Sequence, residues 1–313
     1  MERRTSPVTP GLVAAGKSVR LLQQLWGTLM LAQSIVSGLL VGSVYALIAV
    51  GLTLVWGIME IVNFAHGSYL MLSMYICYVF YLLAGFDPLL SMPIAIIILF
   101  MLGIITYKTI ISRIMQAPML FQIFTTFGLM FLINYAMFFI AKPTFRTVKI
   151  SFLDGVLKVG GLYLDNAMLV SSVVCTLAFI FLYAFLHLTK IGKGIRATTD
   201  NPRAALALGV DVEKMYAYTW GISLALVAVA GSVLSRILYT HPTVGDKFGL
   251  FAFVAVALGG FGSIYGAILG GLMIGLVGTV VGVYAIPWMK LPAVFAVFVL
   301  ALVIRPQGLL GWK

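Results

Sequence analysis

LAQSIVSGLLVGSVYALIAVGLTLVWGIMEIVNFAHGSYLMLSMYICYVFYLLA, residues 31–84, keeps Glu60 and His66 as its only acidic, basic or imidazole side chains. A helix needs about 20 apolar residues, at 1.5 Å each, to cross a hydrocarbon layer about 30 Å thick. The stretch is long for two crossings and short for three. One element within it is therefore expected to be broken or re-entrant, with Gly51, Gly57 and Gly67 as break points. Outward from it, apolar runs occupy 25–58, 63–84, 89–107, 118–141, 166–188, 215–235, 246–260, 263–286 and 290–304.

Hydrophobic residues fill 62% of the 313 positions and charged ones 9%, against about 25% charged in soluble domains. One soluble core of this length cannot hide that much apolar surface. The fold class is an all-α polytopic membrane protein, with membrane lipid as its solvent. The excess of 20 Lys+Arg over 9 Asp+Glu lies mostly between the apolar runs, where cytoplasmic loops accumulate basic residues. No nucleic acid is needed to explain it. Cys77 and Cys175 fall inside apolar runs, too far apart for a metal or redox motif, and read as packing residues. No metal or cofactor is expected.

Residues 1–24 carry Arg3, Arg4, Lys17 and Arg20 against Glu2. With no short apolar run and cleavage site behind Arg3-Arg4, they read as a cytoplasmic tail, leaving 25–313 as the transmembrane domain. The loop 189–214 holds a second basic cluster, so an even number of crossings should separate the two. Three crossings before residue 85, then 89–107, 118–141 and 166–188, make six. Four more return Arg305 and Lys313 to the cytoplasm. Ten crossings result, or eight if a run is re-entrant, with both termini cytoplasmic. Residues 142–165 then lie outside. Their alternation (Val148, Ile150, Phe152, then Leu157, Val159) around Asp154-Gly155 reads as an external hairpin. The stretches Gly51–Gly67 and Leu258–Gly271 echo each other, each with glycines and an aromatic beside a helix break, as in transporters built from repeated halves.

Gly11–Ser18, GLVAAGKS, fits the G-x-x-x-x-G-K-[ST] pattern of a phosphate-binding loop. Such a loop needs a strand to deliver it and a helix N-terminus to receive the phosphates. Only ten residues precede this one and a membrane span follows, so the match is accidental. His66, His187 and His241 form no catalytic motif, and no nucleophile elbow or carboxylate pair stands out. The chain is not expected to be an enzyme.

The most informative segment is 189–214, TKIGKGIRATTDNPRAALALGVDVEK. Asn201 suits an N-cap, Pro202 the first helical position and Gly209 the C-cap. Ala204, Ala205, Leu206, Ala207 and Leu208 between them make a mostly apolar helix about 10 Å long, too short to be stable alone in water. It must pack on its own protein or dock into a partner. The spacing Arg203-Ala204-Ala205-x-x-x-Gly209 resembles the E-A-A-x-x-x-G core of the coupling loop in bacterial ABC importer permeases. Arg203 stands where the family has Glu, and opposes the helix dipole slightly.

Three further stretches sharpen the resemblance to the high-affinity branched-chain amino acid ABC permeases. They are Gly51–Ser68 with V-N-F-A-H-G, Ala257–Gly271 with L-G-G-F-G-S-I-Y-G-A-I-L-G-G, and Arg305–Gly311, R-P-Q-G-L-L-G. Together they run through most of the chain from about residue 30. The resemblance implies a permease fold of about eight to ten transmembrane helices in a bacterial inner membrane. It also implies a second permease subunit, two cytoplasmic ATPases that dock on the 189–214 loop, and a periplasmic substrate-binding protein. Whether the permease pair is identical or mixed is left open.

Glu60, Asn63, His66 and Gly67 read either as a solvated turn or as part of the translocation path. An ionisable group inside a bilayer costs at least ~2.5 kcal/mol and persists where it lines a route or pairs internally. Gly259, Gly260 and Gly262 read as close helix packing or as a break lining the same path. Arg236, His241, Asp246 and Lys247 are expected on an external loop. The rival solutes are urea or another small polar molecule. An ion-driven transporter would require ionisable groups in mid-span, where Glu60 alone stands.

Overall fold

The computed structural model describes residues 10–148 and 155–311, with side chains from Gly27 onward. The chain opens with α1 (Pro10–Met59), α2 (His66–Ala84) and α3 (Pro88–Thr106), which runs through a π-helical turn (Tyr107–Ile111) into α4 (Ser112–Ile114). Next come α5 (Met119–Ala141), the strands β1 (Val156–Val159) and β2 (Leu162–Asp165), α6 (Asn166–Leu188), α7 (Lys190–Asp200) and α8 (Pro202–Ala207). The last helices are α9 (Val212–Leu234), α10 (Val244–Gly259), α11 (Ile264–Tyr284) and, after a 3-10 turn, α12 (Lys290–Ile304). Among the described residues, eight helices are long and apolar enough to cross a membrane. The all-α polytopic class holds, at the lower end of the expected count.

Two helices, not three, precede residue 85. The part of α1 from Gly27 to Met59 is 33 residues, about 50 Å at 1.5 Å each, and so overshoots a core about 30 Å thick. That surplus is what made the run too long for two crossings. The helix does not break at Gly51 or Gly57, because both are packing positions: Gly51 faces the His66 ring and the Ser223 carbonyl, and Gly57 faces Gly262. The break comes once, at residues 60–65. The Gly11–Ser18 run lies inside α1, in continuous helix rather than in a loop. Arg3 and Arg4 lie outside the described residues.

Burial separates a central layer from a peripheral one. The apolar window of α9 is 83% buried and that of α1 61%, whereas α5 reaches 17% and α12 6%. The second half of α1, with α2, α9 and α10, is thus the centre, and α5, α6 and α12 face outward. Small residues let the central axes approach. A Cβ on Gly271 or Gly275 would collide with the α1 backbone at Ala46 or Gly42, so α1 and α11 lie antiparallel along a glycine seam. Polar rungs tie α9 to α2 and α1. The Ser73 hydroxyl donates to the Ala228 carbonyl at 2.8 Å, Cys77 Sγ to Ser232 Oγ at 3.2 Å, and Ser223 Oγ to the Gly51 carbonyl at 2.7 Å. Both cysteines are buried and free.

A hairpin forms within 142–165, but from strands β1 and β2 rather than around Asp154-Gly155. Val159 pairs with Leu162, and the turn is Gly160-Gly161, both at positive φ (+57° and +87°), as a two-residue hairpin turn requires. Asp154 lies outside the described residues. The hairpin docks on α1, where both ends of the Gln33 amide bond the Tyr163 backbone. The Tyr284 hydroxyl donates to the Gly27 carbonyl at 3.1 Å. The hairpin, the Gly27 end of α1 and the end of α11 therefore share one face. Five passes (α1, α2, α3–α4, α5, α6) separate Gly27 from the 189–211 segment, which puts that segment on the opposite face. The expectation that the N-terminal end shares a face with this segment fails on that odd count. The C-terminal end does share it. Leu309 and Leu310 N–H groups donate to the carbonyls of Leu258 and Gly259, at the end of the molecule away from the hairpin.

Arg236 is not on an exposed loop. It is buried against Asp87, Nε to Oδ2 at 3.6 Å, with side chains 5% and 4% exposed. Asp87 also caps α3, accepting from the Leu89 N–H at 2.8 Å. Removing one partner of a buried pair leaves the other charge uncompensated, at about 3–5 kcal/mol. Asp87→Ala is expected to lower the thermal midpoint of the detergent-solubilised protein markedly, and the double variant with Arg236→Met should recover much of the loss. A midpoint unchanged in Asp87→Ala would show that the pair carries no stability.

Candidate functional site

Two constructions stand out at the face away from the hairpin. The first is the segment after α6. The Thr189 side chain caps α7 by accepting from the Gly192 N–H. Gly192, Ile195 and Thr198, three apart, turn inward as the buried face of α7, while Lys190, Lys193 and Arg196 stay exposed. Asn201 Oδ1 accepts from the N–H groups of Arg203 and Ala204, both at 3.0 Å, and Pro202 opens α8. The end is a complete Schellman arrangement: Val210 N–H to the Ala205 carbonyl, Gly209 N–H to the Leu206 carbonyl, each at 3.0 Å, with Gly209 at φ +84°. Only Gly takes that conformation without strain.

Of α8, only Ala205 turns inward; Arg203 and Ala204 are exposed. Leu206 and Leu208 are 64% and 84% exposed. A helix capped at both ends thus holds two leucines exposed. Asp211 then caps α9 by accepting from the Lys214 N–H. The Lys214 side chain, 2.8 Å away, and that N–H hold the Asp211 carboxyl below the usual carboxylate range.

The second construction is a pair of helix breaks. In the first, Glu60 is exposed with φ +55°, whereas Ile61, Val62, Asn63 and Ala65 are buried. The backbone there is held by side chains: Thr126 Oγ1 of α5 donates to the Val62 carbonyl at 2.9 Å. His66 Nε2 donates to the Ile48 carbonyl at 2.9 Å, which fixes the Nε2–H tautomer. His66 and Glu60 do not pair. Both amide atoms of Asn63 and Nδ1 of His66 are buried without a protein partner, a cost the fold tolerates only for a reason. Gly67 lies against Gly245 at the crossing of α2 and α10.

The second break, 260–263, follows α10. Gly260 and Gly262 have φ +101° and +81°, and Ser263 caps α11 by accepting from the Gly266 N–H at 3.1 Å. Gly259 is pressed on Gly266, Gly260 on Gly308 and Gly311, and Gly262 on Gly57. The two breaks therefore meet through Gly57–Gly262, and the R-P-Q-G-L-L-G end straps the second one.

Sequence reading missed what joins the breaks to the exposed side. Trp56, Phe261, Phe253, Phe64 and Phe127 form a chain of ring contacts with centroids 4.2–5.9 Å apart, continued by Phe131 and Tyr135 up α5. The spacing Phe127, Phe131, Tyr135 is the i, i+4 signal that could have found it.

Most of the chain is similar to permease proteins of transport systems. Residues 34–304 match the family described as branched-chain amino acid transport system / permease component. The high-affinity branched-chain amino acid transport system permease protein BraD of Pseudomonas aeruginosa is 31% identical over 294 residues, 89% of this chain and 95% of that protein. The corresponding protein LivH of Escherichia coli K12 is 30% identical over the same shares. The ribose import permease protein RbsC of Bacillus subtilis is 35% identical over 113 residues, 34% of this chain and 35% of its own length. No solved structure matches.

Proposed function

As a member of the branched-chain amino acid transport permease family, the chain is, we propose, the membrane subunit of an ATP-driven importer for branched-chain amino acids. It forms half of a translocation path beside a second permease and is driven by two separate ATPases at the α7–α8 segment. A substrate-binding protein delivers the amino acid on the hairpin face. The single observation that carries this reading is the rigid α8 knob with Leu206 and Leu208 exposed. Burying two leucines against a partner is worth about 3–6 kcal/mol, enough to anchor a docking contact. The face that bears the knob is then cytoplasmic in a bacterial inner membrane, which puts the C-terminal strap inside and the Gly27 end of α1 outside.

In this reading, motion of the ATPases pushes α8, and α7 hands the motion to α6 and α9. The Ser223 hydroxyl of α9 is bonded to α1 beside His66, so a shift of α9 reaches the first break directly. The test is transport by purified permease pair, ATPases and binding protein in liposomes. ATP-dependent leucine uptake that stops when the ATPases are omitted is the expected result. Uptake by this chain alone under an ion gradient, with no ATPase present, would replace the proposal with secondary transport.

A further inference from the structure

Among the described residues, the two larger of three cavities differ in kind. Between α3, α6 and α9 lies a groove of about 580 Å³ walled by residues such as Ile96, Phe100, Phe181 and Val229, with no charged side chain. It suits an acyl chain and nothing polar. On the hairpin face, between α1, α10, α11 and α12, lies a pocket of about 700 Å³, within the ~300–1,000 Å³ usual for small-molecule sites. Asp246, Lys247 and Lys290 stand in its wall beside Phe251, Leu291 and Val294.

We propose that this second pocket receives the amino acid on the outer side: Lys247 and Lys290 hold its carboxylate, Asp246 its ammonium group, and the apolar wall its branched side chain. The assignment rests on the permease reading and adds the place of entry. An amino acid at neutral pH is a zwitterion with an apolar branch. It can leave bulk water cheaply only where both charges meet opposite ones and the branch meets hydrocarbon. Of the two cavities, only this one offers all three.

The groups are positioned rather than scattered. Asn134 Nδ2 of α5 donates to Asp246 Oδ1 at 2.9 Å, fixing that carboxylate in the first turn of α10. The Lys290 stem lies across Gly282 of α11, where any Cβ would strike it. The Lys247 ammonium stands 5.7 Å from the centre of the Phe251 ring. Gly278, also in the wall, leaves the floor open: the nearest atom to a Cβ there would be Val294 Cγ2 at 4.0 Å. From this pocket α10 leads to Phe253, which stacks on Phe64 beside the first break, and to the second break at its end. The charged groups are exposed, as a low-affinity receiving site needs.

Gly278→Leu plugs the pocket without touching a charge or straining the helix. Lys290→Gln removes one carboxylate partner, and Lys290→Arg keeps it. Gly128→Leu, at a position of α5 with nothing within 4 Å, is the control. In the reconstituted importer, Gly278→Leu and Lys290→Gln are expected to cut leucine uptake about tenfold or more. Stimulation of ATP hydrolysis by the loaded binding protein should stay near wild type, and Lys290→Arg and Gly128→Leu should transport normally. Wild-type uptake in both Gly278→Leu and Lys290→Gln would overturn the assignment. So would a fall in uptake matched by loss of one bound phospholipid per chain, measured by mass, since the pocket would then belong to a lipid headgroup. Should Gly278→Leu fail to assemble, the contrast of Lys290→Gln with Lys290→Arg decides. No ATP-dependent uptake by wild type would instead overturn the permease reading, and this assignment with it.

Discussion

Leu208→Glu is expected to abolish co-purification of the ATPase while leaving the permease folded and monodisperse. Leu208 is 84% exposed and makes no part of the core, so the substitution costs the isolated chain little; exposed positions away from special features stay within about 0.5 kcal/mol. In a docked complex the same residue would be buried. Losing its apolar contact forfeits about 1.5–3 kcal/mol, and a carboxylate left without a partner in that contact adds several more. At about 1.4 kcal/mol per factor of ten, affinity should fall by roughly a hundredfold or more. Ala205→Asp is the harsher companion, since Ala205 is buried and its carbonyl accepts from Val210. A pull-down from solubilised membranes separates the outcomes: loss of the ATPase with Leu208→Glu but not with Arg203→Ala identifies the leucine knob as the anchor. Retention of the ATPase by folded Leu208→Glu would mean that α8 is an ordinary connector and that the subunits meet elsewhere.

The 189–214 segment was the most legible part of the chain because its signals are local. Asn201, Pro202 and Gly209 each act within four residues of themselves: Asn201 caps α8, Pro202 opens it, and Gly209 stands one residue past the C-cap Leu208 at positive φ. The class and the spans were legible for a similar reason, since hydropathy is additive along a run. What failed depended on long-range placement. Gly51 and Gly57 look like break points in sequence, but His66, Ser223 and Gly262 turn them into packing notches, and Ser223 and Gly262 come from distant helices and turns that local reading does not see. The break at Glu60 is marked instead by a non-glycine at φ +55°.

The face of the N-terminal end was misread because charge was taken as a vote on sidedness. Lys142, Arg146 and Lys158 already stood on the hairpin side, and Arg146 turns out to be structural. Its guanidinium lies over the Tyr75 and Tyr78 rings and bonds the Ala141 carbonyl. A basic residue held by rings and carbonyls says little about which side of a membrane it is on. The helix count, which is covalent, says more. The aromatic row and the Asp87–Arg236 pair were invisible for the same reason as the breaks: their members come from elements far apart in sequence.

Gly67→Leu should have the largest effect of any single change on folding. At Gly67 the first turn of α2 crosses the first turn of α10, and a Cβ would run into the Gly245 carbonyl and approach the Gly249 nitrogen to 3.0 Å. Both obstacles are backbone, so no change of rotamer relieves them. A side chain of four carbons must push two central helices apart, and overpacking that ordinarily costs about 1–3 kcal/mol should exceed that range here. The break lies just upstream, so the same displacement would unseat Asn63 and His66 and lengthen the bond from His66 to Ile48, 2.9 Å in the native fold. Expected is a protein that no longer elutes as a single species in detergent, or that melts far below wild type. Gly245→Leu should do the same from the other side of the crossing, and the two losses should not add, because either change already opens it. A Gly67→Leu protein as stable as wild type would show that α2 and α10 do not touch there. The path drawn from the hairpin-face pocket along α10 to the breaks would then lose its rigid wall.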